Sequence, residues 1–297
     1  MSRRYAAGAW SRDRVQRTLF GMARPVVIIV LLVWVLLPFY YMLVLSFKPI
    51  ESLLRDPGNL WISADEFTLS TYDKVLRSVQ QGGQGFASFL TNSGVVSIAS
   101  VLLALAIAIP GAYAVARLPF FGRRQINGLF VATYLFPAIV LAIPLFVLFT
   151  RMGLRGSLVG LILVYIAQTV PVAIYMLRNY FDTIPVSIEE SAMLDGLGTF
   201  GTLRRITLPL ALPSIMATGL FVFMIAWNEF LFALLFLVDR RESWTVSLGL
   251  AQLSGSIEVP TTILMAGSVV ITLPVIILFF ATERLLSGGL TAGAEKG

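Results

Sequence analysis

Apolar residues gather in six long stretches, at about 25–46, 91–116, 126–150, 157–178, 212–237 and 263–282. Each is long enough to cross roughly 30 Å of hydrocarbon at ~1.5 Å per helical residue. The pattern predicts an all-α membrane protein with six transmembrane helices. Pro110, Pro137, Pro144, Pro171 and Pro274 fall inside these stretches or at their ends. Proline is tolerated there when neighbouring helices satisfy the freed carbonyls, and kinked helices suit a pathway that opens and closes. No repeat at a fixed period and no inverted halves are visible.

The polar intervals divide the chain. Residues 1–24 form a short basic N-terminus, followed by the first span at 25–46. That span is too long for a signal core and lacks a small-residue cleavage site, so it is expected to be retained. Residues 47–90 form an external loop broken by Pro49, Pro57, Gly58, Gly82, Gly83 and Gly85, with a short interfacial helix expected over 67–79. Residues 91–283 form the core, which includes a polar loop at 185–211. The segment 239–262 is a polar outer connection, either a plain solvated loop or a contact element. Residues 284–297 form a tail.

Basic residues orient this arrangement. With the N-terminus inside, fourteen of the 22 Lys and Arg lie on inner segments, among them Arg117, Arg123, Arg124, Arg178, Arg204, Arg205, Arg284 and Lys296. Eight lie outside, from Lys48 to Arg241. The bias places both termini and the 185–211 loop in the cytoplasm, in a multi-pass protein of the inner (plasma) membrane. The net charge of +6 is thereby explained by topology, without a nucleic-acid partner.

Composition agrees: 57% of residues are hydrophobic, 13% are charged, and mean hydropathy is +0.85. The chain has no Cys and no His. Disulfides, thiolate chemistry, imidazole metal ligands and His-dependent triads are therefore excluded. No Gly-rich phosphate loop with Lys is present, so no nucleotide site is expected in this chain.

The island from Glu189 to Pro209 is the most informative stretch. Ser187 with Glu190 three residues on reads as a capping box, predicting a helix from Ile188. Glu189 and Glu190 then favour the positive end of the helix dipole. Gly196 suits a left-handed helix end. Thr199 is placed to cap a second short helix to about Ile206, with Arg204 and Arg205 in its last turn. Pro209 and Pro213 stop it and start the next element. On residues alone this is a helix-turn-helix too short and polar to span, and its plainest description is an amphipathic connector lying on the membrane surface.

The spacing Glu190-x-Ala192, then Gly196, then Ile206-x-Leu208-Pro209 resembles the signature loop of ABC importer membrane subunits, with Ser191 in place of the usual middle Ala. Asn92-Ser93, Ala112-Tyr113-Ala114, Arg117, Gly122-Arg123, Ala226-Trp227-Asn228-Glu229-Phe230-Leu231 and the tail 289–297 resemble carbohydrate importer permeases, in particular the six-span second permease of maltose and trehalose systems. Helix-end capping and interface anchoring account equally well for Asn92 and Tyr113.

The resemblance implies a permease without catalytic activity, and Glu190, Ser191, Ala192, Asp195, Gly196, Ile206, Leu208 and Pro209 as the loop that docks on an ATPase. It implies a sister permease, two ATPase subunits that bind ATP and Mg, an extracytoplasmic sugar-binding protein and surrounding lipid as partners, and no cofactor in this chain. It also implies that the tail, Ser287 to Gly297, packs between the ATPase subunits; a frayed end is the alternative. The class weighed against it is a self-contained ion-coupled secondary transporter, which needs ionisable groups within the spans. Only Glu229 qualifies. In a continuous fifth span, Glu229 shares a face with Val222, Ile225, Ala226, Phe232 and Ala233, with Trp227 and Asn228 alongside. Trp227, Asn228 and Glu229 are thus expected at the translocation pathway, touching sugar directly or bonding the sister permease.

Overall fold

The computed structural model describes residues 6–135 and 137–294; among these the regular structure is helical throughout. The chain divides into two compact units, Met1–Tyr72 with Pro260–Val269, and Asp73–Val259 with Val270–Gly297.

The first unit holds α1 (Ala6–Phe47), α2 (Ile50–Arg55) and the start of α3 (Ser70–Leu76). The apolar part of α1, Phe20–Phe47, contains the first predicted span. Its end is fixed by polar contacts. The Thr68 amide donates to the Phe47 carbonyl at 2.9 Å, and the Ser46 and Tyr72 hydroxyls meet at 2.8 Å. Burial pushes the Tyr72 phenol up, against the opposing Ser46 bond. Lys48 is buried, donating to the Asn59 carbonyl and pairing with Glu66 at 3.7 Å. The Ser63 amide and Lys48 hold the Glu66 carboxyl below its ordinary range. The interfacial helix expected over 67–79 is shorter, α3 followed by a 3₁₀ turn at Val79–Gln81.

The second unit is built on α4 (Phe86–Arg117) and α7 (Leu158–Phe181). These two pack closely through small residues, with Ala104, Ala108 and Ala112 of α4 in one buried cluster with Ala173, Ile174 and Leu177 of α7. Small side chains let helix backbones approach, which substitutes in lipid for a hydrophobic driving force.

Two predicted spans are not continuous helices. The stretch 126–150 is divided into α5 (Arg123–Leu135) and α6 (Ala138–Arg151). Pro137 is extended there, with φ −65° and ψ 123°, and it lacks the N–H that a continuing helix would use. The stretch 212–237 is divided into α11 (Leu212–Asn228) and α12 (Leu231–Leu237), with Glu229 extended at ψ 133°. Pro110, Pro144, Pro171 and Pro274 all lie inside unbroken helices. By length and composition alone, four described helices can cross a membrane, or five if the bent pair Thr199–Leu210 and Leu212–Asn228 is one span.

Between α7 and α11 the loop forms α8 (Val186–Leu194), α9 (Thr199–Thr202), a wide π-type turn at Leu203–Thr207 and α10 (Leu208–Leu210). After α12, a 3₁₀ turn at Arg241–Ser243 leads to α13 (Val246–Ser254), and α14 (Thr261–Ala294) closes the chain. The segment 239–262 is therefore not a plain solvated loop, since Val246, Leu248, Gly249 and Leu253 of α13 are buried. α14 continues past 282, so the tail predicted from 284 begins as helix; Glu295, Lys296 and Gly297 lie outside the described residues.

Candidate functional site

The loop predicted to couple is built as a helix-turn-helix, with corrections at both helix starts. α8 begins at Val186 after Pro185, which supplies no side-chain cap. Ser187 is therefore inside the first turn, where its carbonyl accepts the Ser191 hydroxyl at 2.8 Å, and no capping box forms with Glu190. A proline just before the helix fixes the entry in place of a hydroxyl cap. Thr199 is likewise the first residue of α9, preceded by Gly198, and does not cap it. The second helix also runs further than Ile206. It widens at 203–207, continues through Pro209 to Leu210 and bends by 79° into α11. Pro209 lies just past the wide turn, where a residue without an N–H loosens the regular helical ladder.

The turn at Gly196 is as expected. Gly196 has φ +92°, the Leu197 amide donates to the Ala192 carbonyl and the Gly196 amide to that of Met193, each at 3.1 Å. This closure satisfies the last carbonyls of α8 through a left-handed residue.

The eight predicted coupling residues separate into two sets. Glu190, Ser191, Asp195, Gly196 and Pro209 are exposed; Ala192 is buried; Ile206 and Leu208 are half-buried. Beside the exposed set stand two apolar side chains that sequence reasoning did not single out. Leu194 is 89% exposed and Phe200 75% exposed, on either side of the Gly196 turn.

The neighbouring carboxylate, Glu189, has a different environment. It is 2% exposed. Its Oε2 accepts the Arg117 Nε–H at 2.8 Å and its Oε1 accepts the Thr207 hydroxyl at 2.8 Å. Arg117, the last residue of α4, also donates from Nη2 to the carbonyls of Phe181 (2.7 Å) and Ile184 (2.9 Å). Burying an ion pair costs desolvation that only good geometry and further hydrogen bonds offset, and both conditions are met here. Arg117 and Glu189 lie 72 positions apart. The one sequence sign was a second acidic residue in a first turn that needs only one.

The predicted pathway residues do not share one cavity. Trp227 is buried, stacks on Phe223 at 5.3 Å between centroids, and donates from Nε1 to the Ile271 carbonyl. It lines a cavity of ≈ 650 Å³ between α4, α11 and α14, whose walls are almost wholly apolar. Asn228 is exposed and its amide donates to the Met224 carbonyl at 2.9 Å. Glu229 is turned into the fold. Its carboxylate accepts the Tyr165 hydroxyl at 2.7 Å and the amides of Phe232 (2.8 Å) and Ala233 (3.2 Å). Asn228 thus covers a carbonyl at the end of α11, and Glu229 caps the start of α12. The two polar residues hold a helix break, and the continuous face expected from Val222 to Ala233 does not exist.

A second cavity of ≈ 400 Å³ lies beside this break, walled by Thr133, Pro137, Gln168, Thr169, Ile225 and Phe232 among others. Its polar groups come from α5 and α7, which periodicity within the fifth span could not have shown.

Asn92 and Ser93 anchor the segment 239–262 to α4. The Asn92 amide donates to the carbonyls of Glu242 (2.8 Å) and Trp244 (3.0 Å), and the Ser93 hydroxyl accepts the Val246 amide at 2.9 Å. Asn92 therefore does not cap the end of its own helix, which begins at Phe86; with Ser93 it bonds the 3₁₀ turn at Arg241–Ser243 and the start of α13.

Broken apolar helices around small cavities, with a helix-turn-helix displayed on a buried ion pair, suit the membrane subunit of a transporter. Residues 100–288 match the family described as binding-protein-dependent transport system inner membrane component, and the chain belongs to that family. It is 39% identical over 267 residues to the inner membrane ABC transporter permease protein YcjP of Escherichia coli, covering 90% of this chain and 93% of that one. It is 36% identical to the trehalose/maltose transport system permease protein MalG of Thermococcus litoralis, covering 88% and 92%. In fold it is similar to a chain of a bacterial ABC transporter involved in the import of the acidic polysaccharide alginate, with TM-score 0.78 and 22% identity over 91% of this chain and 97% of that one. The chain is thus a multi-pass inner-membrane permease subunit of an ABC importer, a transport subunit and not a catalyst, of a kind that works with ATPase and binding-protein components.

Proposed function

We propose that this permease forms one half of a transmembrane pathway for a sugar, paired with a sister permease, driven by two ATPase subunits that bind ATP and Mg, and supplied by an extracytoplasmic sugar-binding protein. Both termini and the 186–210 helix-turn-helix face the cytoplasm. The paired helices α5–α6 and α11–α12 each serve as one broken span, which makes six.

The observation that carries the reading is the exposed apolar pair Leu194 and Phe200 around a left-handed glycine. An unpartnered Leu and Phe on a polar loop suit a protein groove: burying such a side chain gains about 1.5–3 kcal/mol. Glu190 and Asp195 flank them and set orientation. The sugar class is supported by the trehalose/maltose permease among the relatives. For the pathway, Asn228 presents an exposed amide, Glu229 fixes the break beside the smaller cavity, and Trp227 braces the other side. The ion-coupled alternative loses its one candidate, since the Glu229 carboxylate is occupied by Tyr165 and two amides.

Co-expression with candidate ATPase, sister permease and binding-protein genes tests this. The expected result is a stable complex that takes up labelled trehalose or maltose into proteoliposomes only with ATP inside. Uptake of either sugar by this chain alone, driven by a proton or sodium gradient, would overturn the reading. Labelling of a cysteine at position 188 from the outer side would overturn the orientation.

A further inference from the structure

The buried group formed by Arg117, Glu189 and Thr207 has no part in the docking surface, yet it ties together four separate pieces of chain. Arg117 ends α4. Phe181 ends α7, and Ile184 lies in the turn that follows. Glu189 lies in the first turn of α8. Thr207 closes the wide turn before α10. Through one guanidinium and one carboxylate, the inner ends of α4 and α7 are fixed to both arms of the helix-turn-helix.

The surroundings are apolar. Tyr113, Ala116, Phe181, Ile184, Leu203 and Ala211 belong to one buried cluster. Apolar contacts are non-directional and tolerate sliding. Charge-assisted hydrogen bonds in a buried site are directional, and a planar guanidinium fixes several acceptors at once where an ammonium cannot. Cohesion around the loop could come from the apolar contacts, but resistance to rotation needs the polar group. The wide turn matters for this: a five-residue π-type turn at 203–207 brings Thr207 onto Glu189, and such turns are frequent at functional positions.

We propose that Arg117, Glu189 and Thr207 are positioning residues of energy coupling, locking the helix-turn-helix and the inner ends of α4 and α7 into one rigid lever. Displacement of α8 by an ATPase is then delivered to α4 and α7 undiminished, rather than absorbed by the loop. This rests on the reading that α8 and its turn dock on an ATPase. It adds the route by which their motion enters the membrane.

The test uses the whole importer complex in nanodiscs. The chain has no native cysteine, so Ile188→Cys on α8 and Ile107→Cys on α4 can carry spin labels, with a cysteine-free ATPase. In the otherwise unaltered chain the label distance should be narrow, and the same without nucleotide and with ATP and vanadate. In Arg117→Lys, Glu189→Gln and Thr207→Val it should broaden and shift between the two states, while Thr207→Ser restores the narrow distance. ATP hydrolysis should persist, with labelled sugar taken up per ATP reduced about tenfold, within the usual range of coupling between sites.

Should a single variant fail to fold, Arg117→Met combined with Glu189→Leu removes both charges and leaves neither unpaired, a change that folded proteins often accept. It should assemble and still show the broadened distance. Assembled variants with a narrow, nucleotide-independent distance and normal uptake per ATP would overturn the lever. A parent complex that neither assembles nor hydrolyses ATP would overturn the docking reading instead.

Discussion

Replacing Glu229 by Leu should destabilise the subunit in proportion to three lost bonds. The Tyr165 hydroxyl would lose its acceptor between α7 and the break, and the amides of Phe232 and Ala233 would lose the cap that starts α12. A side-chain hydrogen bond between helices in a membrane protein contributes about 0.6 kcal/mol on average and about 1.7 at most. Loss of an N-terminal cap costs about 0.5–2 kcal/mol. The expected total for Glu229→Leu is about 1–4 kcal/mol, with the upper half favoured because Tyr165 is fully buried. Glu229→Gln keeps one carbonyl oxygen for the amides and should cost under about 1.5 kcal/mol. Tyr165→Phe removes only the interhelical bond. In the double variant the Tyr165→Phe change should cost almost nothing further, because its partner is already gone. Reversible unfolding of the purified subunit in mixed micelles, read as a double-mutant cycle with ATP-driven uptake alongside, measures each value. If Glu229→Leu unfolds within about 0.5 kcal/mol of the parent, or the cycle is additive, the capping argument is wrong.

Gly196→Val places a β-branched residue at φ +92°, costing roughly 1–2 kcal/mol locally, and should abolish co-purification with the ATPase while membrane insertion is unchanged. Asn92→Ala frees the carbonyls of Glu242 and Trp244, so amide exchange over 241–247 should quicken by about 5- to 10-fold at a cost of about 1 kcal/mol. A Cβ added at Gly249 would stand 2.4 Å from the Phe89 ring, so Gly249→Ala should force α13 off α4 and cost about 1–3 kcal/mol; unchanged exchange in α13 would contradict that packing. The Glu66 carboxyl titrates below its ordinary range, so its stabilising effect is full above the usual carboxylate value and is lost as pH falls through the lowered one. Thermal stability of the parent should therefore fall with acid more steeply than that of Glu66→Gln.

Hydropathy located the four stretches that form helices long enough to cross a membrane, because lipid imposes a length on helices that a short reading window detects. It could not find the interruptions. Pro137 breaks its stretch and Pro144 does not, and the difference lies in what surrounds them, not in the ring. At 228–230 no proline or glycine marks the break; an amide and a carboxylate replace the missing backbone bonds. The loop at 185–211 was legible in its turn, since only a residue tolerant of positive φ fits at 196. It was misread at its starts, where Pro185 and Gly198 displaced Ser187 and Thr199 from the capping positions. The Arg117–Glu189 pair was out of reach, as no local pattern links residues on different helices.

The end of α11 has one more consequence. The Trp227 carbonyl, left without an intrahelical partner by the break, accepts the Ser247 hydroxyl of α13 at 2.8 Å. α13 therefore acts as a splint: it completes hydrogen bonding at the fracture between α11 and α12 from outside both helices. A protein that pulled α13 away would expose this carbonyl together with those that Asn92 holds, and water or the visitor's own donors would have to replace the splint. The position of α13 and the set of the fracture are thus tied by the same hydrogen bonds.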